Sequence, residues 1–347
     1  MLNTAIINLV LLQQNARAIK NALPPYVKFI AVVKADAYGH GLVEVSSAIY
    51  PYVDAYAVAL PEEGVTLRSS GIDKDILVLT PPVMGDYDLS VRYDLILPIH
   101  TEKEVLTLNN VAKREGKIVK AQIAVNTGMN RFGVDVKDID GLIKVLKNSS
   151  SIAVDGVYSH LYMPQNPLSR IKQSRVFLTA VNKVKDAFPF AYAHLSASGG
   201  FLKGEFYDAV RIGLLLYGYL PFKTRFPRVN VTPIMEVKTH VLEERKISKG
   251  DALMYGAFKA ETDLTALILR YGYADGLNRK EVLGQLNNRC MDVTAIKKDK
   301  NTQILSVLGE NFYILYKNAD EIAKKYDTIS YEVLCSVAKR AKKIYLR

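Results

Sequence analysis

"KFIAVVKADAYGHG", residues 28–41, sets an apolar, β-branched run against one lysine and a small, polar turn with two glycines. The run reads as a buried strand and the turn as its exit, so Lys34 falls at the strand's C-terminal end. A lysine there is ordinarily a solvated amine. It gains meaning only if other unusual polar residues gather at the same end of a sheet. The unit recurs: "DAYAVAL" (54–60), "DILVLT" (75–80), "DLILPI" (94–99), "KAQIAVN" (120–126), "IAVDGVY" (152–158), "AYAHLS" (191–196) and "AVRIG" (209–213) are further strand candidates. Between them lie segments of helical spacing such as "EKEVLTLNNVAKREG" and "PLSRIKQSRVFLTAVNKVKDAF", long enough for crossovers between parallel strands. Eight such units predict an α/β chain whose N-terminal part is a (β/α)8 TIM-type barrel, with an open doubly wound sheet as the alternative.

The rhythm changes after "YGYLPFKTRFPRVNVTP", where Pro221, Pro227 and Pro233 interrupt any regular element. The expected division is a barrel over 1–224 and a mainly β C-terminal domain over 225–347, with the first eight or so residues packing on the latter. "IMEVKTHVLEE", "DLTALILRYGYADG", "RCMDVTAI", "TQILSVLG" and "FYILY" have strand character, and "ADEIAKKYDTI" and "SYEVLCSVAKRAKKIYL" close the chain as helices.

Composition excludes several classes. The chain has 347 residues, 49% hydrophobic and 23% charged, which is ample for substantial cores. No stretch of ~20 apolar residues predicts a membrane span, and the N-terminus lacks the basic and small-residue pattern of a secretory signal. Cys290 and Cys335 alone make neither a disulfide framework nor a structural zinc site, and they suit a reducing cytoplasm. The five histidines at 40, 100, 160, 194 and 240 show no paired ligand spacing, so no metal is expected. A net charge of +11 raises the question of nucleic acid, but the basic residues are scattered rather than clustered with aromatics. Solvated faces explain them.

Barrel chemistry sits at the C-terminal strand ends. Lys34 and Tyr38 follow the first run, Asn126 and Arg131 the fifth, His160 the sixth and Ser196 the seventh, while Arg211 lies in the eighth. Glycines in "YGHG", "NTGMNRFG", "SASGG" and "RIG" add free backbone N–H groups at that rim, which can cradle a phosphate after the seventh and eighth strands. A lysine amine at one strand end and a phosphate cup at others suggest a phosphorylated aldehyde held covalently, which is pyridoxal 5'-phosphate.

"AVVKADAYGHG", "NTGMNRFG", "VRIGLLLYG", "MYG", "YGYADGLNR", "RCMD" and "TISYEVLC" occur in this order along nearly the whole chain, and together they resemble the alanine racemase family. The resemblance implies a pyridoxal-phosphate barrel followed by a β domain. It also implies a homodimer in which one subunit's C-terminal domain completes the other's active site. It assigns Lys34 to the covalent hold on the cofactor and Tyr255 to the second acid/base. Inverting Cα needs two bases on opposite faces, one to remove a proton and one to return it. A phenol with an ordinary pKa of ~10 needs a nearby cation to act as a base at neutral pH, and Arg131 and His160 are the candidates. The family pattern places Tyr38, Ser196, Gly213, Leu214 and Tyr331 around the phosphate, His160 against the pyridine ring and Arg211 at its nitrogen. It places Arg131 and Met291 with the substrate, and Asn126, Tyr273, Arg279 and Asp292 at the entrance or behind the site. A permanent guanidinium at the nitrogen limits charge delocalisation into the ring and disfavours transamination.

Five positions depart from that pattern. Ala124 and Asn126 stand where many members carry a lysine, often carbamylated, and an aspartate, so the anion that would orient Arg131 is missing, with chloride or Asn126 itself as substitutes. Ile212 replaces a proline, Gln165 an aspartate and Asn288 an arginine. The expected activity is conversion of L-alanine to D-alanine for peptidoglycan. The alternatives are racemisation of serine or other amino acids, decarboxylation, which favours an acidic partner at the ring nitrogen, and a barrel-only carrier of the cofactor, which would lack Tyr255.

Overall fold

The computed structural model describes residues 3–225, 227–255, 258–276, 286, 290–300, 302–307 and 309–347. The chain forms two compact units, one of Leu12–Ala37 with Leu42–Thr232, the other of Met1–Leu11, Tyr38–Gly41 and Pro233–Arg347.

In chain order, β1 (Thr4–Asn8) and α1 (Leu9–Asn21) precede β2 (Lys28–Val32), α2 (Lys34–Gly39), α3 (Leu42–Ile49), β3 (Ala55–Val58), α4 (Pro61–Ser69), β4 (Ile76–Val78), α5 (Asp86–Arg92), β5 (Leu97–Ile99), α6 (Glu102–Arg114) and β6 (Val119–Asn126). A short β7 (Val134–Asp135), α7 (Ile139–Lys147), β8 (Ile152–Tyr158), α8 (Pro167–Ala187), β9 (Tyr192–His194), α9 (Ser198–Leu202) and β10 (Ala209–Ile212) follow. Strands β2, β3 and β4 are parallel neighbours, β5, β6, β8 and β9 likewise, and β10 pairs β2. Isolated bridges Leu77↔Ile96 and Ala197↔Arg211 complete the circuit. The result is a closed parallel barrel of eight strands, the architecture the eight apolar runs predict. Most strand residues are buried because helices cover the outside and side chains fill the inside.

The turn after β2 is not an ordinary loop. Ala35, Asp36, Ala37 and Tyr38 have φ of 53°, 55°, 53° and 54°, and the Ala37 amide donates to Val33 O at 2.8 Å, so α2 begins as a left-handed turn. None of these residues is glycine. A left-handed turn crowds Cβ against the next carbonyl by about 1–2 kcal/mol per residue, so the surroundings must hold it. Glu63 does part of that. Its Oε1 accepts the Ala35 amide at 2.6 Å, while its Oε2 reaches back to the Ala59 and Leu60 amides at 2.7 and 3.1 Å. One carboxylate therefore caps α4 and fixes the residue after Lys34.

The second unit is built on β11 (Met235–Ile247), β12 (Leu264–Leu269), β13 (Thr294–Lys297), β14 (Ile304–Val307), β15 (Glu310–Tyr316), α10 (Ala319–Tyr326), α11 (Ser330–Val337) and β16 (Lys342–Leu346). Its sheet runs β13-β12-β11-β1-β16, with β15 joining β11 to β14. β11 bends at two register shifts, which lets one long strand serve β1, β12 and β15. The chain end departs from the sequence reading. Its helix stops at Val337, and "KKIYL" alternates between exposed and half-buried positions as β16, parallel to β1. Strand pairing overrides the helical spacing there.

Candidate active site

The C-terminal ends of the barrel strands carry Lys34 after β2, Arg131 after β6, His160 after β8 and Arg211 within β10. Arg211 is buried, and both of its terminal nitrogens are engaged. One terminal nitrogen donates to His194 Nδ1 at 2.6 Å and to His194 O at 3.1 Å, and the other to Ser159 O at 2.6 Å and Leu195 O at 3.3 Å. Its plane lies over the Tyr158 ring, 5.2 Å from the centroid. Burial pulls the guanidinium down to about 10, so it stays a cation at neutral pH. His194 is stacked between Tyr158 and Tyr192, with centroids 5.2 and 5.3 Å away, and burial drives its pKa well below the usual imidazole range.

His160 feels three cations. Desolvation, then Arg211, Arg131 and Lys34, push it down to about 3. It is therefore neutral, and this corrects its candidacy as a cation for lowering a phenol's pKa. An uncharged imidazole can still pack against an aromatic ring.

The loop after β6 is knotted by Asn126. Its Oδ1 accepts the Gly128 and Asn130 amides at 3.0 and 3.1 Å, and its Nδ2 donates to Asn130 Oδ1 and Asp135 Oδ1, both at 2.9 Å. The loop folds back so tightly that a Cβ on Gly133, φ +116°, would lie 2.6 Å from the Asn126 nitrogen. Asn126 is thus occupied in shaping the loop and is not the orienting partner of Arg131. Arg131 is exposed and rests on Phe132, 4.7 Å from the ring centroid. Behind the loop, the buried Gln173 of α8 donates to Thr127 Oγ1 and His160 O, both at 2.9 Å, tying two rim loops together. Ala124 is buried and pairs in register with Tyr158, whose buried Oη has no hydrogen-bond partner among the described residues.

At the β9 and β10 ends, the structure reassigns one serine. Ser196 Oγ donates to Glu205 O at 2.6 Å, whereas Ser198, opening α9, accepts the Gly213 amide at 3.3 Å. Ser198 is the serine beside the Gly213–Leu214 backbone. "SASGG" offers two serines, and only the start of α9 distinguishes them.

In the second unit, Tyr38 and Tyr331 face each other with ring centroids 5.8 Å apart. Burial raises both phenols, Tyr331 to about 12, so both are neutral donors at pH 7. Tyr255 is 74% exposed and follows Met254, another residue with positive φ, 58°. Tyr273 and Ala274 donate to Cys290 O and Met291 O, both at 3.0 Å. Arg340 forks onto Asp275 through two bonds of 3.0 Å and reaches Asp292 at 2.9 Å, so the Tyr273 turn and the Met291 loop are strapped together. Sequence reasoning missed Arg340. Arg279 and Asn288 lie outside the described residues.

The comparisons with known proteins agree along the whole length. Residues 7–221 match the alanine racemase N-terminal domain and residues 234–345 the alanine racemase C-terminal domain. The chain belongs to the alanine racemase family. It is 31% identical to the alanine racemase of Halothermothrix orenii, over 98% of this chain and 96% of that one. Identity to the alanine racemase of Clostridium novyi is 32%, over 99% and 95%. The alanine racemase of Clostridium difficile 630 superposes with a TM-score of 0.92 at 28% identity, covering 100% of this chain and 96% of its own. Like those alanine racemases, the chain is an isomerase. No helix among the described residues is long and apolar enough to cross a membrane.

Proposed function

We propose that this racemase interconverts L- and D-alanine with pyridoxal 5'-phosphate, by a two-base route, in a cytoplasmic homodimer that supplies D-alanine for peptidoglycan. The observation that carries it is the convergence of Lys34, Arg131 and Arg211 around a neutral His160 at one barrel rim. The donor set fits the cofactor: the amide of Gly213 and the hydroxyl of Ser198 suit a phosphate, Arg211 suits a ring nitrogen that accepts a hydrogen bond, and Lys34 supplies the amine. Tyr38 and Tyr331 add neutral phenol donors.

When bound, pyridoxal phosphate supplies a carbonyl for covalent capture of the amino group and a conjugated ring that spreads negative charge. The remaining work belongs to the chain. Arg211, a cation with no proton to give at neutral pH, donates hydrogen bonds without protonating its partner. Lys34 holds a proton at Nζ on one face of the substrate carbon. Tyr255, contributed by the partner subunit in this reading, holds one at Oη on the other. Arg131 and the Met291 backbone orient the substrate carboxylate. In this reading Tyr273 and Asp292 border the entrance.

The test is incubation of the purified protein with L-alanine, L-serine and L-lysine in heavy water, followed by chiral analysis. Deuterated D-alanine as the main product is expected; a product from serine or lysine alone refutes the substrate assignment. Lys34→Ala should remove the borohydride-reducible visible absorbance. Tyr255→Phe should suppress exchange of the α-hydrogen of L-alanine with solvent more than that of D-alanine, while racemisation slows alike in both directions as an equilibrium constant of one requires; equal losses of exchange from the two enantiomers refute two separated bases.

A further inference from the structure

Inside the barrel, behind Arg211, runs a polar chain whose donor directions follow from one premise. A guanidinium donates hydrogen bonds and accepts none. Because Arg211 approaches His194 Nδ1 at 2.6 Å, that nitrogen must present a lone pair, so the proton of the neutral ring sits on Nε2. Nε2 lies 2.8 Å from Gln122 Oε1, which must accept it. The Gln122 amide nitrogen then faces Asp155 Oδ2 at 3.2 Å and Tyr192 Oη at 2.6 Å, where both of its hydrogens are taken. The opposite amide orientation would set donor against donor at His194. Asp155 therefore fixes Gln122, Gln122 fixes the tautomer of His194, and His194 fixes Arg211.

The backbone makes room for this arrangement. The register of β6 against β8 slips between Ala121 and Gln122, so Asp155 is an extra residue on β8 beside the Gln122 amide. A Cβ on Gly156 would lie 3.1 Å from both Gln122 Cδ and Nε2 and 2.8 Å from Tyr192 O, tight enough to move the amide. Gln122 itself is fully buried.

We propose that Gln122 is a positioning residue that locks the His194 tautomer and so holds Arg211 in its donating orientation. The functional consequence rests on the reading above in which Arg211 faces the cofactor's ring nitrogen. Gln122→Glu is nearly isosteric and places a carboxylate at Nε2, which favours the imidazolium. The proton gained on Nδ1 then opposes the Arg211 N–H and turns the guanidinium away. Gln122→Leu removes the acceptor without adding charge.

The experiment is nitrogen NMR of histidine-labelled, full-length holoprotein at pH 7. Wild type is expected to show His194 with a bare Nδ1 and a protonated Nε2, while Gln122→Glu shows both nitrogens protonated. In parallel, the ratio of racemisation to half-transamination of alanine should fall about 10- to 100-fold in Gln122→Glu and in Gln122→Leu, taking as the scale the loss of affinity or activity when the partner behind a metal-bound imidazole is removed. A protonated Nδ1 in the wild type overturns the lock whatever the variants do. So does a Gln122→Leu protein with an unchanged partition ratio, or one that loses only overall activity while its tautomer stays as in wild type. A wild-type protein with the expected tautomer that fails to racemise alanine leaves the lock standing and removes the racemase reading.

Discussion

Replacing Ala35 by glycine should stabilise this protein, against the usual direction for a helical alanine. In a right-handed helix interior the change costs about 1 kcal/mol. At Ala35 φ is 53°, where a Cβ is crowded by about 1–2 kcal/mol that glycine does not feel. Glycine's freer unfolded chain gives back about 0.4–1 kcal/mol. Ala35 is exposed, so little burial is lost with its methyl, and its amide keeps the bond to Glu63 Oε1. The net gain is about 0.5–1 kcal/mol. Ala37 has the same φ but is fully buried, so the loss of a methyl worth about 0.8 kcal/mol cancels most of the relief there. Equilibrium urea unfolding reads both as shifts in midpoint at constant slope. Destabilisation of Ala35→Gly by 0.5 kcal/mol or more, on the order of a right-handed helix, refutes the left-handed turn.

Two further predictions follow from the rim. His160 and His194 both have folded pKa values below the unfolded value of ~6.5, so between about pH 6.5 and 3 the unfolded chain binds protons that the native one refuses. Stability must then fall as pH falls through that window, by up to roughly 1.4 kcal/mol per pH unit for each histidine, less for the partly exposed His160. His160→Gln should flatten the slope, and a urea midpoint constant from pH 6.5 to 5 contradicts the assignment. Gly133→Ala, with its positive φ and the Asn126 backbone in its way, should cost about 2–4 kcal/mol and loosen the Arg131 loop. Kinetics should show KM for alanine rising more than kcat falls, and an unchanged KM would detach Arg131 from the substrate.

The barrel was legible because its strands are short β-branched runs that name themselves, and Lys34, His160 and Arg211 stood out by falling at their ends. The finer site was hidden for identifiable reasons. Ala35, Asp36, Ala37 and Tyr38 carry no preference for positive φ; packing and Glu63 impose it. Ser198 and Ser196 differ only in which one opens a short helix. Gln122 and Asp155 look like stray polar residues in apolar strands, because the register slip that brings them together leaves no trace in composition. The charge on His160 depends on three cations distant in sequence. The final strand reads as helix until β1, at the other end of the chain, offers it a partner.

The ring of barrel strands is stitched at two places by solitary bridges, Leu77↔Ile96 and Ala197↔Arg211, where its other strand pairs have ladders. Breathing of the barrel should begin at such seams, and amide deuteration on the second-to-hour scale would find them first. One seam passes through Arg211 and borders the Gly213 amide. There the Arg211 side chain adds its own bonds to His194 O and Leu195 O across the join, so the residue that lies in the seam also clasps it shut.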